Sequence, residues 1–225
     1  MKNLDKSELK LSISKIQLAK HCSHQLKMYF LNHSDPIDLM KFVLDAFFRI
    51  EINFKSICLP YYRLNNQPFF NHLHGDHYLI FIYELSRSAF KYGDQDFATK
   101  LFLLNKYLHG IDLFYEINLP DKYIFIHPIG TVIGRGKFND KVVFYQGVTV
   151  GSNSIGEYPT LNGNNILFSN SSLIGNSILA SGCVMSAKSF TINNKFDPDT
   201  IITGNFPNNK LIRSYKTPIN SYFFE

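Results

Sequence analysis

From about Ile111 onward the 225-residue sequence breaks into short β-branched steps interrupted by Gly, Ser or Asn: FIHPIGTVIGRG, YQGVTVGSNSIG and NSSLIGNSILASGCVMSA. Counting in sixes from Ile174 meets Asn162, Phe168, Ala180, Ser186 and Ile192, a register dominated by small or apolar residues. Ile129-Gly130, Ile133-Gly134, Val150-Gly151 and Ile174-Gly175 repeat one step, although Ile133 to Val150 spans 17 residues, one short of three hexads. A six-residue period suits a solenoid in which each short flat strand ends at a corner, an inward side chain fills the coil, and Gly or Asn accepts the corner backbone. Three such steps make one triangular coil. A β-sandwich or barrel, the ordinary alternative, calls for strict apolar–polar alternation over longer strands. About four narrow coils fit between Ile129 and Phe206, and each buries little surface by itself. Helices and neighbouring copies of the chain are expected to complete the packing.

Residues 1–110 follow different periods. A helix is expected from about Ser14 to Phe30, and a second after Asp35 as N-cap with Pro36 as first helical residue. In that second helix Leu39, Phe42, Val43, Phe47 and Ile50 recur at three- and four-residue spacing. Cys58 to Gly75 reads as a packed connection containing Pro60 and Pro68. Asp76 is placed as the cap of a helix reaching Phe90, and Gln95 to Leu108 as another after the Tyr92-Gly93-Asp94 turn, ended by Gly110. The expected architecture is α+β, with a helical domain over residues 1–110 and a parallel β-helix with a C-terminal tail over 111–225.

Composition narrows the function classes. Hydrophobic residues make up 45% and charged residues 18%, with 21 Phe and 13 Tyr, which excludes a disordered chain. Cys22, Cys58 and Cys183 are odd in number and far apart, so neither a disulfide framework nor a thiolate metal site is expected, and a reducing, cytoplasmic setting is. The opening MKNLDKSELKLSISK has no continuous apolar core, and no 18-residue uncharged apolar run occurs, so neither a signal segment nor membrane insertion is expected. The +5 balance suits an anionic ligand, but Lys210, Arg213 and Lys216 form only a sparse cluster, which argues against nucleic acid.

Three stretches carry a further signal: the Gly110-Ile111-Asp112 step, His127-x-x-Gly130-x-Val132-Ile133-Gly134, and Tyr145-Gln146-Gly147-Val148-Thr149-Val150-Gly151. Over about Gly110 to Ile212 the sequence resembles the serine acetyltransferase family of left-handed β-helix, hexapeptide-repeat acyltransferases. The resemblance implies a left-handed solenoid, a homotrimer, acetyl-CoA as acyl donor in a cleft between adjacent solenoids, and a histidine that activates the acceptor hydroxyl for direct transfer. His127 matches that histidine and Asp112 the family's aspartate fifteen residues before it. A neutral imidazole accepts the alcohol proton as oxygen attacks a thioester, and a carboxylate on the other ring nitrogen holds the tautomer and stabilises the imidazolium. The plain reading of the same residues is a surface corner before Pro128 and a cap after Gly110.

For the donor, Ser186, Ala187 and Lys188 fall in the late coils where the family binds its cofactor. Lys210 and Arg213 follow Gly204-x-x-Pro207, which resembles the family's closing Gly-x-Pro stretch. Cationic side chains suit the phosphates, and Gln146 is a secondary candidate for the cleft. Two departures bear on the acceptor. Ile126 replaces the family's acidic residue before the base, and Tyr158-Pro159 stands where a second histidine is found. These favour a small hydroxyl acceptor such as a sugar or sugar precursor over serine, with amino-sugar N-acetylation and a noncatalytic solenoidal scaffold as alternatives. His72, His74 and His77, spaced H-x-H-x-x-H, and the pair His21 and His24 have spacings open to metal. They read instead as loop, cap and surface residues, and no metal is expected; Cys183 reads as a packing residue.

Overall fold

The computed structural model describes residues 8–30, 39–214 and 218–224. It divides into two compact units, Met1–Leu104 with Tyr222–Glu225, and Asn105–Ser221.

The first unit opens with β1 (Lys10–Leu11) and α1 (Lys15–Tyr29). Ser14 starts α1 through a reciprocal capping box, since Gln17 N–H donates to Ser14 Oγ and Ser14 N–H donates to Gln17 Oε1. In α2 (Met40–Ser56) the three- and four-residue spacing buries Phe42, Val43, Ala46, Phe47, Ile50 and Phe54; the expected start at Asp35-Pro36 lies outside the described residues. The stretch expected to be an irregular connection contains a hairpin, β2 (Arg63–Leu64) and β3 (Gln67–Phe70), with β1 added parallel to β3. Asn65 and Asn66 turn it, at φ 51° and 61°. Two successive left-handed residues make the tight turn whose twist suits a hairpin, a signal that the neighbouring Pro68 obscures. α3 (Gly75–Lys91) begins after His74, so Asp76 sits in the first turn and not at the cap; its carboxylate suits the positive end of the helix there. α4 (Gln95–His109) is capped by Asp94, whose Oδ1 accepts from Phe97 N–H, and Gly110 ends it at φ 63°.

In the second unit, β4 (Asp112–Leu113) precedes four three-strand coils. These are β5 (Tyr123–Ile126), β6 (Val132–Ile133) and β7 (Lys137–Phe138), then β8 (Val142–Tyr145), β9 (Thr149–Gly151) and β10 (Thr160–Leu161). They continue as β11 (Asn165–Leu167), β12 (Ser172–Ile174) and β13 (Ile178–Leu179), then β14 (Val184–Met185), β15 (Phe190–Ile192) and β16 (Lys195–Phe196). β17 (Thr200–Thr203) begins a fifth coil and β18 (Lys210–Arg213) turns back antiparallel along it. All other pairings in this unit join each strand to its counterpart one coil away, in parallel. The result is three faces, of six, five and four strands.

The inward column is offset by one residue from the count begun at Ile174. Leu161, Leu167, Leu173, Leu179, Met185 and Thr191 are fully buried. Ile174 and its equivalents face outward, because a hexad fixes spacing but not phase when two apolar residues adjoin. Two residues before each inward residue stands a second buried column, Asn165, Ser171, Ser177, Cys183 and Ser189. Two of its hydroxyls bind corner carbonyls: Ser177 Oγ donates to Ile174 O at 2.7 Å and Ser189 Oγ to Ser186 O at 2.6 Å. Cys183 belongs here, its thiol donating to Asp197 O and its pKa raised by burial. It is a packing residue, as its place in the repeat suggests.

Candidate functional site

The corner between the six- and five-stranded faces gathers most of the residues singled out above. Ile126 pairs with Tyr145, Phe144 with Leu167, and Leu167 with Met185. Continued past the strand ends, that register stacks His127, Gln146, Ser169 and Ala187 along one edge. Backbone bonds close each step: Gly147 N–H to Ile129 O, Asn170 N–H to Gln146 O, and Lys188 N–H to Ser169 O. The bend needs left-handed backbone, at Gly130, Gly147, Asn170 and Lys188. His127 is also left-handed, at φ 49°, an uncommon conformation for a side-chain-bearing residue. Pro128 follows it, and the His127 carbonyl accepts Ile129 N–H at 2.7 Å. The imidazole is exposed.

Asp112 joins the same corner from β4. Its backbone N–H donates to Thr131 O, and it pairs with Val132. Its carboxylate is already engaged, because Lys106 Nζ donates to Oδ2 at 2.6 Å. Sequence reasoning missed Lys106, which lies in the last helical turn before Gly110 with nothing local to mark it as a partner.

At the far end of the edge, Ser186 is half-buried with its carbonyl held by Ser189, while Ala187 and Lys188 are exposed. Lys210 pairs with Thr203 beside Gly204, whose carbonyl accepts from Phe190 N–H. Arg213 stands apart. It pairs with Thr200 at the other end of β18 and lines a hollow of about 440 Å³ with Asp197, Asp199, Leu211 and Ile212. Lys188 and Lys210 are the cations near this end of the edge, whereas two carboxylates stand beside Arg213 and oppose an anion there.

A second concavity, about 480 Å³, lies at the corner between the five- and four-stranded faces. Glu116, Asn118, Arg135, Lys137, Tyr158 and Asn176 are among its lining residues. Tyr158, noted above for its position, is here part of a polar wall.

Of the spaced histidines of the first unit, His74 and His77 are packing groups, whereas His21 and His24 are exposed. His77 is fully buried among Phe54, Tyr62 and Phe70. Its Nδ1 accepts from Asn71 N–H, and burial pushes its pKa down to about 2, with His74 adding to the effect. His74 stacks on Tyr61 and on His77. His72 exchanges hydrogen bonds with Ser12, and His21 lies edge-on to His72 and Tyr78. Among the described residues no three His, Cys, Asp or Glu side chains are disposed to hold a metal. Nor, among them, is any helix long and apolar enough to cross a membrane.

Neither protein-family models nor curated proteins match this sequence. Solved structures do. Serine acetyltransferase from Vibrio cholerae superposes with a TM-score of 0.71 at 15% identity over 91% of this chain and 81% of that one. The Neisseria gonorrhoeae serine acetyltransferase in complex with serine gives 0.66 at 18%, over 89% and 84%. The Brucella abortus enzyme in complex with coenzyme A gives 0.54 at 16% over 63% of this chain and 57% of that one, so this match spans little more than half of that protein. The chain has the fold of the serine acetyltransferase-like, hexapeptide-repeat acyltransferases: a helical bundle followed in sequence by a left-handed parallel β-helix.

Proposed function

We propose that this chain is an acetyl-CoA-dependent O-acetyltransferase for a small hydroxyl acceptor, working in the cytoplasm as a homotrimer with His127 as general base. The observation that carries the reading is the single edge that stacks His127, Gln146 and Ala187, with Asp112 entering at its start and Lys188 and Lys210 near its end. Imidazole Nε2 takes the acceptor hydroxyl proton as that oxygen bonds to the thioester carbon. The carbon–sulfur bond then breaks, and the departing thiolate recovers the proton from the imidazolium. Asp112 supports the imidazolium through Oδ1, Oδ2 being held by Lys106. Lys188 and Lys210 bind donor phosphates, with Arg213 secondary because of its neighbours Asp197 and Asp199. Ala187 and Gln146 offer backbone and amide partners to the pantetheine arm, and Ser186 its hydroxyl, its own backbone being bonded to Ile202 and Ser189.

Serine is the acceptor that the structural likenesses favour, since one of the similar structures holds serine. Ile126 and Tyr158 favour the sugar reading, because both depart from the family's pattern. An acetyl-CoA consumption screen across serine, hexoses, amino sugars and nucleotide sugars, with product mass analysis, separates them. Changing His127 to Ala is expected to preserve assembly and cut turnover at least about a hundredfold. Near-normal turnover in the folded variant removes His127 from the role.

A further inference from the structure

The last turn of α4 is bonded to the corner that carries His127. Lys106 O accepts from Gly110 N–H at 3.0 Å, and Gly110 O accepts from Gly130 N–H at 2.9 Å. Asp112 N–H donates to Thr131 O, and Thr131 N–H donates to Pro128 O, directly after His127. Thr131 is fully buried, with its Oγ1 donating to Tyr145 O on β8. Within the turn His109 Nδ1 lies 2.7 Å from Asn105 Oδ1. Asn105 is buried, and burial lowers the His109 pKa to about 4, so the ring stays neutral and the turn keeps one form near pH 7. Lys106 stands on this fixed turn. Its contact with Asp112 is not a helix pair: Lys100 and Asp96 are four apart on one helical face, but Lys106 and Asp112 are six apart, with Gly110 breaking the helix between them at φ 63°. Both side chains are part-exposed, 48% and 36%, and an ion pair so placed adds little to stability. What it fixes is direction. A carboxylate on the two-residue strand β4 has several staggered rotamers open to it, and a charge-assisted bond to Oδ2 selects one.

We infer that Lys106 is a positioning residue for the base, acting through Asp112: by occupying Oδ2 it keeps Oδ1 turned to the His127 ring. The inference rests on the acyltransferase reading with His127 as base. Two effects of the ammonium oppose each other. Its charge weakens the support that Asp112 gives the imidazolium, but from beyond the carboxylate and through solvent this amounts to about threefold at most. A carboxylate turned away from a general base costs on the order of tenfold. Orientation therefore outweighs charge, and the sign of the change in kcat on losing Lys106 shows which effect governs.

Steady-state kinetics on the full chain test it, with acetyl-CoA and whichever of serine, hexoses, amino sugars and nucleotide sugars the wild type acetylates fastest. Lys106→Met is expected to lower kcat about tenfold, with KM for both substrates and the melting temperature essentially unchanged. Lys106→Arg keeps a cation within reach of Oδ2 and is expected to recover most of the loss. In the Asp112→Ala background, Lys106→Met is expected to cost less than about twofold more, because the group it positions is gone. A kcat for Lys106→Met equal to or above that of the wild type overturns the inference, and makes the pair a screened surface contact. A tenfold loss that recurs in full beside Asp112→Ala overturns the route through Asp112. A raised KM for acetyl-CoA at unchanged kcat overturns it too, making Lys106 a donor contact. These three outcomes leave the acyltransferase reading standing, whereas a wild-type chain that acetylates none of the acceptors overturns both.

Discussion

The two units spend their polar residues in opposite ways. In the helical unit His74 and His77 are absorbed into stacked aromatic packing, and His77 is fully buried and neutral. In the solenoid, Ser177 and Ser189 face inward and each binds a corner carbonyl, while His127 and Lys188 stand exposed on an edge. A helix core is irregular, and each polar group in it needs its own solution. A stacked coil can reuse one solution from turn to turn and leaves its edges open for chemistry. Histidine spacing along the chain is therefore a poor guide to function in the first unit, whereas position within the repeat is a good one in the second.

The largest expected effect tests whether the two interiors depend on single residues to different degrees. Phe54 packs against Tyr62, Phe70 and His77 at once. Changing it to Ala is expected to cost about 3–5 kcal/mol, against about 2–4 kcal/mol for Leu167→Ala in the inward column. Urea unfolding of both variants measures this, and a larger loss for Leu167→Ala reverses the contrast.

Corner backbone supplies the next test. Gly163 lies at φ +94°, and a Cβ there would come within 2.6 Å of the Asp140 carbonyl oxygen. Gly156 has φ +82° with open space around it. Gly163→Ala is expected to cost about 2–4 kcal/mol, from left-handed strain plus the clash, and Gly156→Ala about 1–2 kcal/mol from strain alone. Equal losses in thermal unfolding show that conformation alone governs these corners and stacking contributes nothing.

These contrasts explain how much was legible in the sequence. The hexads of the second unit announce parallel coils, because each step is a local event with its own glycine or asparagine. They do not announce phase, since Leu173-Ile174 offers two apolar residues to one inward position. His127, Gln146 and Ala187 are legible one by one through the resemblance, but not as members of one edge, because the coils that separate them differ in length and only the strand register stacks them. Lys106 on Asp112, or Arg135 beside Glu116, depends on side chains meeting across non-equivalent segments, which no local pattern records. In the first unit α3 and α4 are legible from the turn between them and from Gly110 after them, while the Asn65-Asn66 hairpin hides behind Pro68.

Buried His77 turns the contrast into a pH dependence. Its folded pKa is about 2, and its unfolded value is about 6.5. Below about pH 6.5 the unfolded chain takes up a proton that the folded chain refuses, so stability is lost as pH falls toward the folded value. The slope is at most about 1.4 kcal/mol per pH unit, or about 2–3 kcal/mol between pH 6.5 and 4.5. His77→Asn retains an acceptor for Asn71 N–H without titrating, and its stability is expected to fall less steeply over that range. Parallel curves for the two proteins in urea unfolding at stepped pH transfer the acid sensitivity to other groups.

The smallest effect separates a ligand contact from a corner. Lys188 is left-handed at φ 61°, in the column that holds Asn170 one coil below. Asparagine tolerates that backbone, so Lys188→Asn removes the charge without adding strain. An exposed ammonium on a phosphate contributes on the order of 1 kcal/mol, so KM for acetyl-CoA is expected to rise about three- to tenfold with kcat unchanged. Raised ionic strength is expected to shrink the difference between variant and wild type, because an exposed charge contact is screened. A change in melting temperature with no change in KM makes Lys188 a corner residue like Asn170, and leaves the cationic end of the edge to Lys210.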